Sequence, residues 1–173
     1  MDRIFSSMGG LALFTSARFM AAPLMVNKAV VKELRAGAQK VKSEARKKFG
    51  EYQPASGPFV GWAALSPKYL KYKLAAGAPS DMPLIGYYFK GQRSAIWPIK
   101  LKNSLAITID DIGLIAYIGT NDPLGEWHEY GLLNRQTVLP PRPFLRPALY
   151  ENIDQIYAQI GLAVGLGMVG VFK

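Results

Sequence analysis

The chain has 173 residues, with 21 Lys and Arg against 12 Asp and Glu, one His and no Cys, for a formal net charge of +9. Half of the residues are hydrophobic and 19% are charged, which excludes wholesale disorder, and the length suits one domain with residues to spare for arms. Without cysteine there is no disulfide framework, thiol nucleophile, zinc finger or iron–sulfur cluster, and a lone histidine leaves little for a His-based metal centre.

The charge is uneven. Residues 1–50 carry ten bases and three acids, and residues 51–110 carry seven and three. The segments 111–150 and 151–173 each come to −1, so the first two-thirds hold all of the excess. Such a field attracts polyanions, nucleic acid or an acidic protein face among them. A solvated helix face that keeps an apolar chain soluble is the plainer reading.

Residues 1–26 are largely apolar, but Asp2 precedes Arg3, Gly9-Gly10 interrupts the run and Arg18 divides the rest. This reads as an N-terminal arm and not as a secretory leader. From Asn27 to Phe49 the pattern is helical: Val26, Val30, Leu34, Ala38, Val41, Ala45 and Phe49 form one stripe. Lys28, Lys32, Arg35 and Lys40 fall on the other faces, and Gly50 can supply a left-handed stop. Residues 51–67 read as a loop, and Ser66-Pro67 as an N-cap with proline at the first position of a short helix to about Leu74. In that helix Lys68, Lys71 and Lys73 interleave with Tyr69 and Tyr72, the arrangement that stacking on single-stranded nucleic acid would use.

Strands are expected at Leu84–Phe89, Ser104–Asp110 and Leu114–Gly119, the last two joined at hairpin length by Asp111, Ile112 and Gly113. The proline-dense run Pro140–Pro147 is extended and stiff. Pro147 then suits the first turn of a helix to about Ile160. Residues 161–173 form an apolar, glycine-rich tail. No charged side chain lies between Asp154 and Lys173, a length near that of a membrane span, although a buried or subunit-packed tail fits its glutamines and glycines better.

Catalytic chemistry finds no support. His128 has no evident nucleophile and orienting acid, and adjacent acids such as Asp110 and Asp111 point apart. No phosphate-cradling glycine motif is present. No cofactor or metal is expected, and no enzyme activity.

Three stretches, in order, resemble the neck and tail-completion proteins of long-tailed bacteriophages. The strongest is Trp127-His128-Glu129-Tyr130-Gly131 followed by Pro140-Pro141-Arg142-Pro143-Phe144-Leu145-Arg146-Pro147-Ala148-Leu149. Trp62-Ala63-Ala64-Leu65-Ser66-Pro67 is similar to a second family element, and Leu101-Lys102-Asn103-Ser104-Leu105 to the segment that opens the family's central strand. The chain departs from the family in having Trp97-Pro98-Ile99-Lys100 where a Thr-Gly turn is usual.

The resemblance covers about residues 24–160. It implies an α+β subunit, with a long N-terminal and a C-terminal helix packed on a small, mostly antiparallel sheet. The expected organisation is an arm at 1–26, one domain at 27–160 and a tail at 161–173. It further implies a virion protein, assembled in the host cytoplasm as a homo-oligomeric ring of six or twelve at the head–tail junction. Its neighbours would be neck, head-closure or tail-terminator rings around the DNA channel. On that basis Trp127, Glu129, Tyr130, Arg142, Phe144, Leu145 and Arg146 are candidates for subunit contact. Lys28, Lys32, Arg35, Lys40, Lys68, Lys71 and Lys73 are candidates to face channel DNA or an acidic neighbour. An equally simple reading puts Phe144 in the core and gives one arginine a carboxylate partner, for which Glu129 is the candidate. The alternative function is a membrane-associated basic protein that uses its apolar ends.

Overall fold

The computed structural model describes residues 22–75, 81, 83–84, 98–133 and 138–171. The architecture is α+β, with a long N-terminal helix, a C-terminal helix and, among the described residues, two small two-stranded sheets. In chain order the elements are α1 (Ala22–Lys47), α2 (Pro67–Ala75), α3 (Pro98–Ser104), β1 (Ala106–Asp110) and β2 (Ile115–Gly119). Then follow α4 (Pro123–Tyr130), β3 (Leu132–Leu133), β4 (Val138–Leu139), α5 (Leu145–Tyr150) and α6 (Ile153–Val171).

The α1 stripe is buried from Val30 through Leu34, Ala38, Val41 and Ala45 to Phe49. The helix starts earlier than its periodicity suggests, at Ala22, and Pro23 sits in the first turn, where its missing N–H costs nothing. The chain leaves α1 through Gly50, whose φ of 100° is the left-handed conformation that glycine adopts without strain.

The described residues gather into two compact units. One takes α1 up to Ala38, Thr108–Tyr117 and α6 from Asp154. In it α1 and α6 run antiparallel, because a Cβ on Gly37 would meet Ile156 at 3.1 Å and one on Gly167 would meet Val26 at 3.0 Å. Both contacts are steps of eleven residues along their helices, in opposite senses. Val30, Leu34, Ala38, Ile156 and Ile160 form the buried side chains of this pair.

The other unit runs from Gln39 to Ile107 and from Ile118 to Ile153. Its core holds Val41, Ala45, Phe49, Trp62, Leu101, Leu105, Phe144 and Ala148. The Phe49 and Phe144 rings meet edge to face with centroids 4.9 Å apart, a favoured aromatic geometry.

Several expectations are corrected. Ser104 ends helix α3, and the strand begins at Ala106; Leu101 and Leu105 are both buried at helical spacing. The hairpin is tied by Asp110, whose Oδ1 accepts from the Ile112 and Gly113 amides at 3.0 and 2.9 Å. Helix α1 runs through position 26 and helix α6 through position 160. The glycines of the C-terminal segment are helical up to Val171. The helix expected from Pro147 to Ile160 is broken at Glu151-Asn152 into α5 and α6. The strand expected at Leu84–Phe89 lies outside the described residues except for Leu84, which is in a turn. Among the described residues no helix is long and apolar enough to cross a membrane.

Candidate functional site

The two halves of the principal motif fold against each other. Helix α4 is set by Asp122, whose side chain caps it by accepting from the Leu124 amide at 3.0 Å, and by Pro123 at its first position. Gly131 ends it at φ 81°. A Cβ there would lie 2.9 Å from the Leu139 carbonyl oxygen, so only glycine fits this close turn. The chain then runs out along β3 and returns antiparallel along β4, with Leu132 opposite Leu139 and Leu133 opposite Val138. That reversal lays residues 142–146 beside 128–129. The Arg142 amide donates to the His128 carbonyl at 2.6 Å.

Glu129 is the centre of the arrangement. It is only 5% exposed, and its carboxylate accepts from the backbone amides of Phe144 (2.9 Å), Leu145 (3.1 Å) and Arg146 (2.9 Å). These are the unpaired amides at the start of α5, whose N-cap Phe144 has no capping side chain. The next residue, Pro147, has no N–H. One carboxylate from another helix therefore satisfies every amide donor of the α5 first turn, and its charge is favourable at the helix N-terminus.

Arg146 completes the brace. Its Nε donates to the Glu129 carboxylate at 3.1 Å and its Nη2 to the Glu129 carbonyl oxygen at 2.6 Å. The guanidinium lies over the Tyr130 ring, 4.4 Å from its centroid, and 5.3 Å from that of Phe59. Such cation–π contacts contribute about 0.5–1 kcal/mol at exposed sites.

Arg142 is buried in a different environment. Its Nη2 donates to the Ala63 carbonyl at 3.0 Å. Burial pushes the guanidinium down from its ordinary value, and Tyr52 and Tyr69 oppose that shift. Beside it, His128 is held at about 4 by burial first and by the Arg142 charge second, with Asp122 pulling the other way. Neither His128 Nδ1 nor Arg142 Nε has a hydrogen-bond partner among the described residues. The Trp62 indole Nε1 donates to the Pro143 carbonyl at 3.0 Å, so the second motif is tied to the first. At the far end of α5, Glu151 accepts from Lys48 at 2.8 Å and from Ser56 at 2.8 Å. Burial works against its ionisation, and these two bonds outweigh it to hold the carboxyl below its ordinary value.

The contact candidates thus divide. Phe144 (0% exposed), Glu129 and Arg142 are interior and hold the fold together. Trp127 and Tyr130 are exposed, and Leu145 and Arg146 are half-buried. Leu133 and Val138, which sequence reasoning did not single out, are 82% and 73% exposed as cross-strand partners on one face of the β3–β4 ribbon.

The basic candidates divide as well. Lys28, Lys32 and Arg35 are exposed on one stretch of α1, in the first unit. Lys68 and Lys71 are exposed on α2, and Lys40 is half-buried, in the second. Lys73 is 2% exposed, and burial lowers its ammonium from the ordinary value while Asp81 raises it. It is an interior residue and does not extend the α2 basic face. Among the described residues no group of three His, Asp or Glu side chains could hold a metal ion. Comparison with protein-family models, with curated proteins and with solved structures finds no match.

Proposed function

We propose that this chain is a structural virion protein, a ring-forming subunit of a phage neck or tail-completion assembly that joins head and tail around the DNA channel. The observation that carries the reading is the braced corner at Glu129. The corner uses its interior residues for rigidity and leaves large apolar side chains outside: Trp127, Tyr130, and the Leu133–Val138 pair. Exposed apolar groups on a stiff support lose little entropy on docking, and they are costly to leave in water. That is what a subunit needs if its surface is to be covered by another copy or by an adjacent ring. The resemblance of the same residues to neck proteins supplies the kind of assembly, with six or twelve copies and neighbouring head-closure or tail-terminator rings.

The test is the mass of the purified protein in solution and its presence in purified particles. A closed ring visible by electron microscopy, reduced to monomers by Leu133→Asp with the helical signal retained, is the expected result. A protein that stays strictly monomeric and is absent from particles overturns the reading.

A further inference from the structure

The C-terminal half of α1 and the end of α3 enclose an open groove of about 350 Å³ lined by Gln39, Lys42, Ser43, Arg46, Lys47 and Lys102. Four of its six lining residues are cations and none is an acid. Among the described residues Lys42, Arg46 and Lys102 have no carboxylate in ion-pair range; Lys47 alone is paired, with Glu44 at 2.7 Å. Arg46 is positioned by Asn103, whose Oδ1 accepts from its Nη2 at 3.1 Å. Lys42, Arg46 and Lys102 are half-buried, so their stems pack on the protein and their charged heads share the groove.

We infer that this groove binds the phosphodiester backbone of DNA without reading its sequence. Every lining side chain can donate to phosphate: three lysines, an arginine, a serine hydroxyl and a glutamine amide. No aromatic side chain lines it, so bases have nothing to stack on, in contrast with Tyr69 and Tyr72 on α2. Gln39, Ser43 and Arg46 follow the i, i+4, i+7 spacing of one helix face. At 1.5 Å per residue they span roughly 10 Å, the axial reach of about three phosphate-to-phosphate steps on one strand. The neck reading gives such a groove a use, because a ring around DNA needs a face that tolerates passing phosphates. The inference itself rests on the groove's chemistry and is measured on the isolated chain, so it can fail while ring formation stands, and the reverse.

The probe is a fluorescent random-sequence duplex, titrated by anisotropy at several salt concentrations. The chain is expected to bind it with an affinity that falls steeply with salt. Replacing Lys42, Arg46 and Lys102 together by Gln is expected to flatten the log–log salt slope by about 3, and to weaken binding at least tenfold at low salt. The charge-matched variant Lys28, Lys32, Arg35→Gln on the other unit should lose much less. A gain-of-charge variant, Gln39→Lys, places one more cation on the rim without touching the core and should steepen the slope by about 1. Three outcomes overturn the proposal: no binding by the native chain, equal losses in the two triple variants, or capture by phosphatidylserine vesicles that outcompetes the duplex.

Discussion

Arg146 holds Glu129 at both ends, with its backbone amide and Nε on the carboxylate at 2.9 and 3.1 Å and its Nη2 on the carbonyl oxygen at 2.6 Å. The carboxylate is buried, and it also carries the Phe144 and Leu145 amides. Removing it leaves three buried or half-buried amides without their acceptor and strips Arg146 of its carboxylate partner, though its Nη2 keeps the Glu129 carbonyl. Glu129→Ala is therefore expected to cost about 2–4 kcal/mol, read as a lowered denaturant midpoint with an unchanged slope. Glu129→Gln, which keeps one oxygen but sets an NH₂ against donors, should recover only part of that loss. A midpoint unaltered in both variants contradicts the brace.

His128 provides a pH test, made clean because the chain has one histidine. In the fold its pKa is about 4, against an ordinary 6.5, chiefly through burial. Between those values the unfolded chain binds the proton that the folded one refuses, so stability is full above pH 6.5 and falls as pH drops through the window. The loss reaches at most about 3 kcal/mol near the lower end. Urea midpoints measured from pH 7 down to about 5, above the bulk of carboxylate titration, should decline in the native chain and stay flatter in His128→Gln. An equal decline in both assigns the pH dependence to other groups.

Two glycines should respond in opposite directions to alanine. Gly161 lies inside α6, and a Cβ there meets nothing within 4 Å. Gly161→Ala should raise stability by about 0.5–1 kcal/mol through helix propensity alone. Gly131, at φ 81° against the Leu139 carbonyl, should lose about 1–3 kcal/mol on the same change. Thermal melts of the two variants shifted to the same side would contradict this.

The indole of Trp62 is buried and donates to the Pro143 carbonyl. Trp62→Phe keeps most of the packing but leaves that carbonyl without its donor, and should lower stability by about 1–3 kcal/mol. A similar change at exposed Trp127 should be nearly silent in the isolated chain and be felt only in assembly.

What the sequence showed, and what it hid, follows from the range of each interaction. The α1 stripe has seven members spread from Val26 to Phe49, so its period could be read directly, as could the Ser66 cap, where the Tyr69 amide donates to the Ser66 hydroxyl at 3.2 Å. The β1–β2 hairpin was also legible, because alternation and a short turn are local. Helices α3 and α4 were not: at seven and eight residues they are too short for periodicity to stand out. The α6 continuation was hidden by its glycines, whose low propensity is overridden where Gly167 packs on Val26. The Glu129 cap acts across 15 residues of chain, but a signal for it existed. A helix that starts after apolar Phe144 in a proline-rich run has no local acceptor, and Glu129 is the one acid within either half of the motif.

Because Phe144, Leu145 and Arg146 all bond to one side chain on α4, their amides exchange with solvent only when the start of α5 parts from Glu129. That separation frees all three at once, so contacts made across two segments that look separate in sequence open in one step. In deuterated buffer these three amides are expected to exchange at one common rate. The short helix α5, which would be too brief to persist alone, thereby acquires the lifetime of that contact.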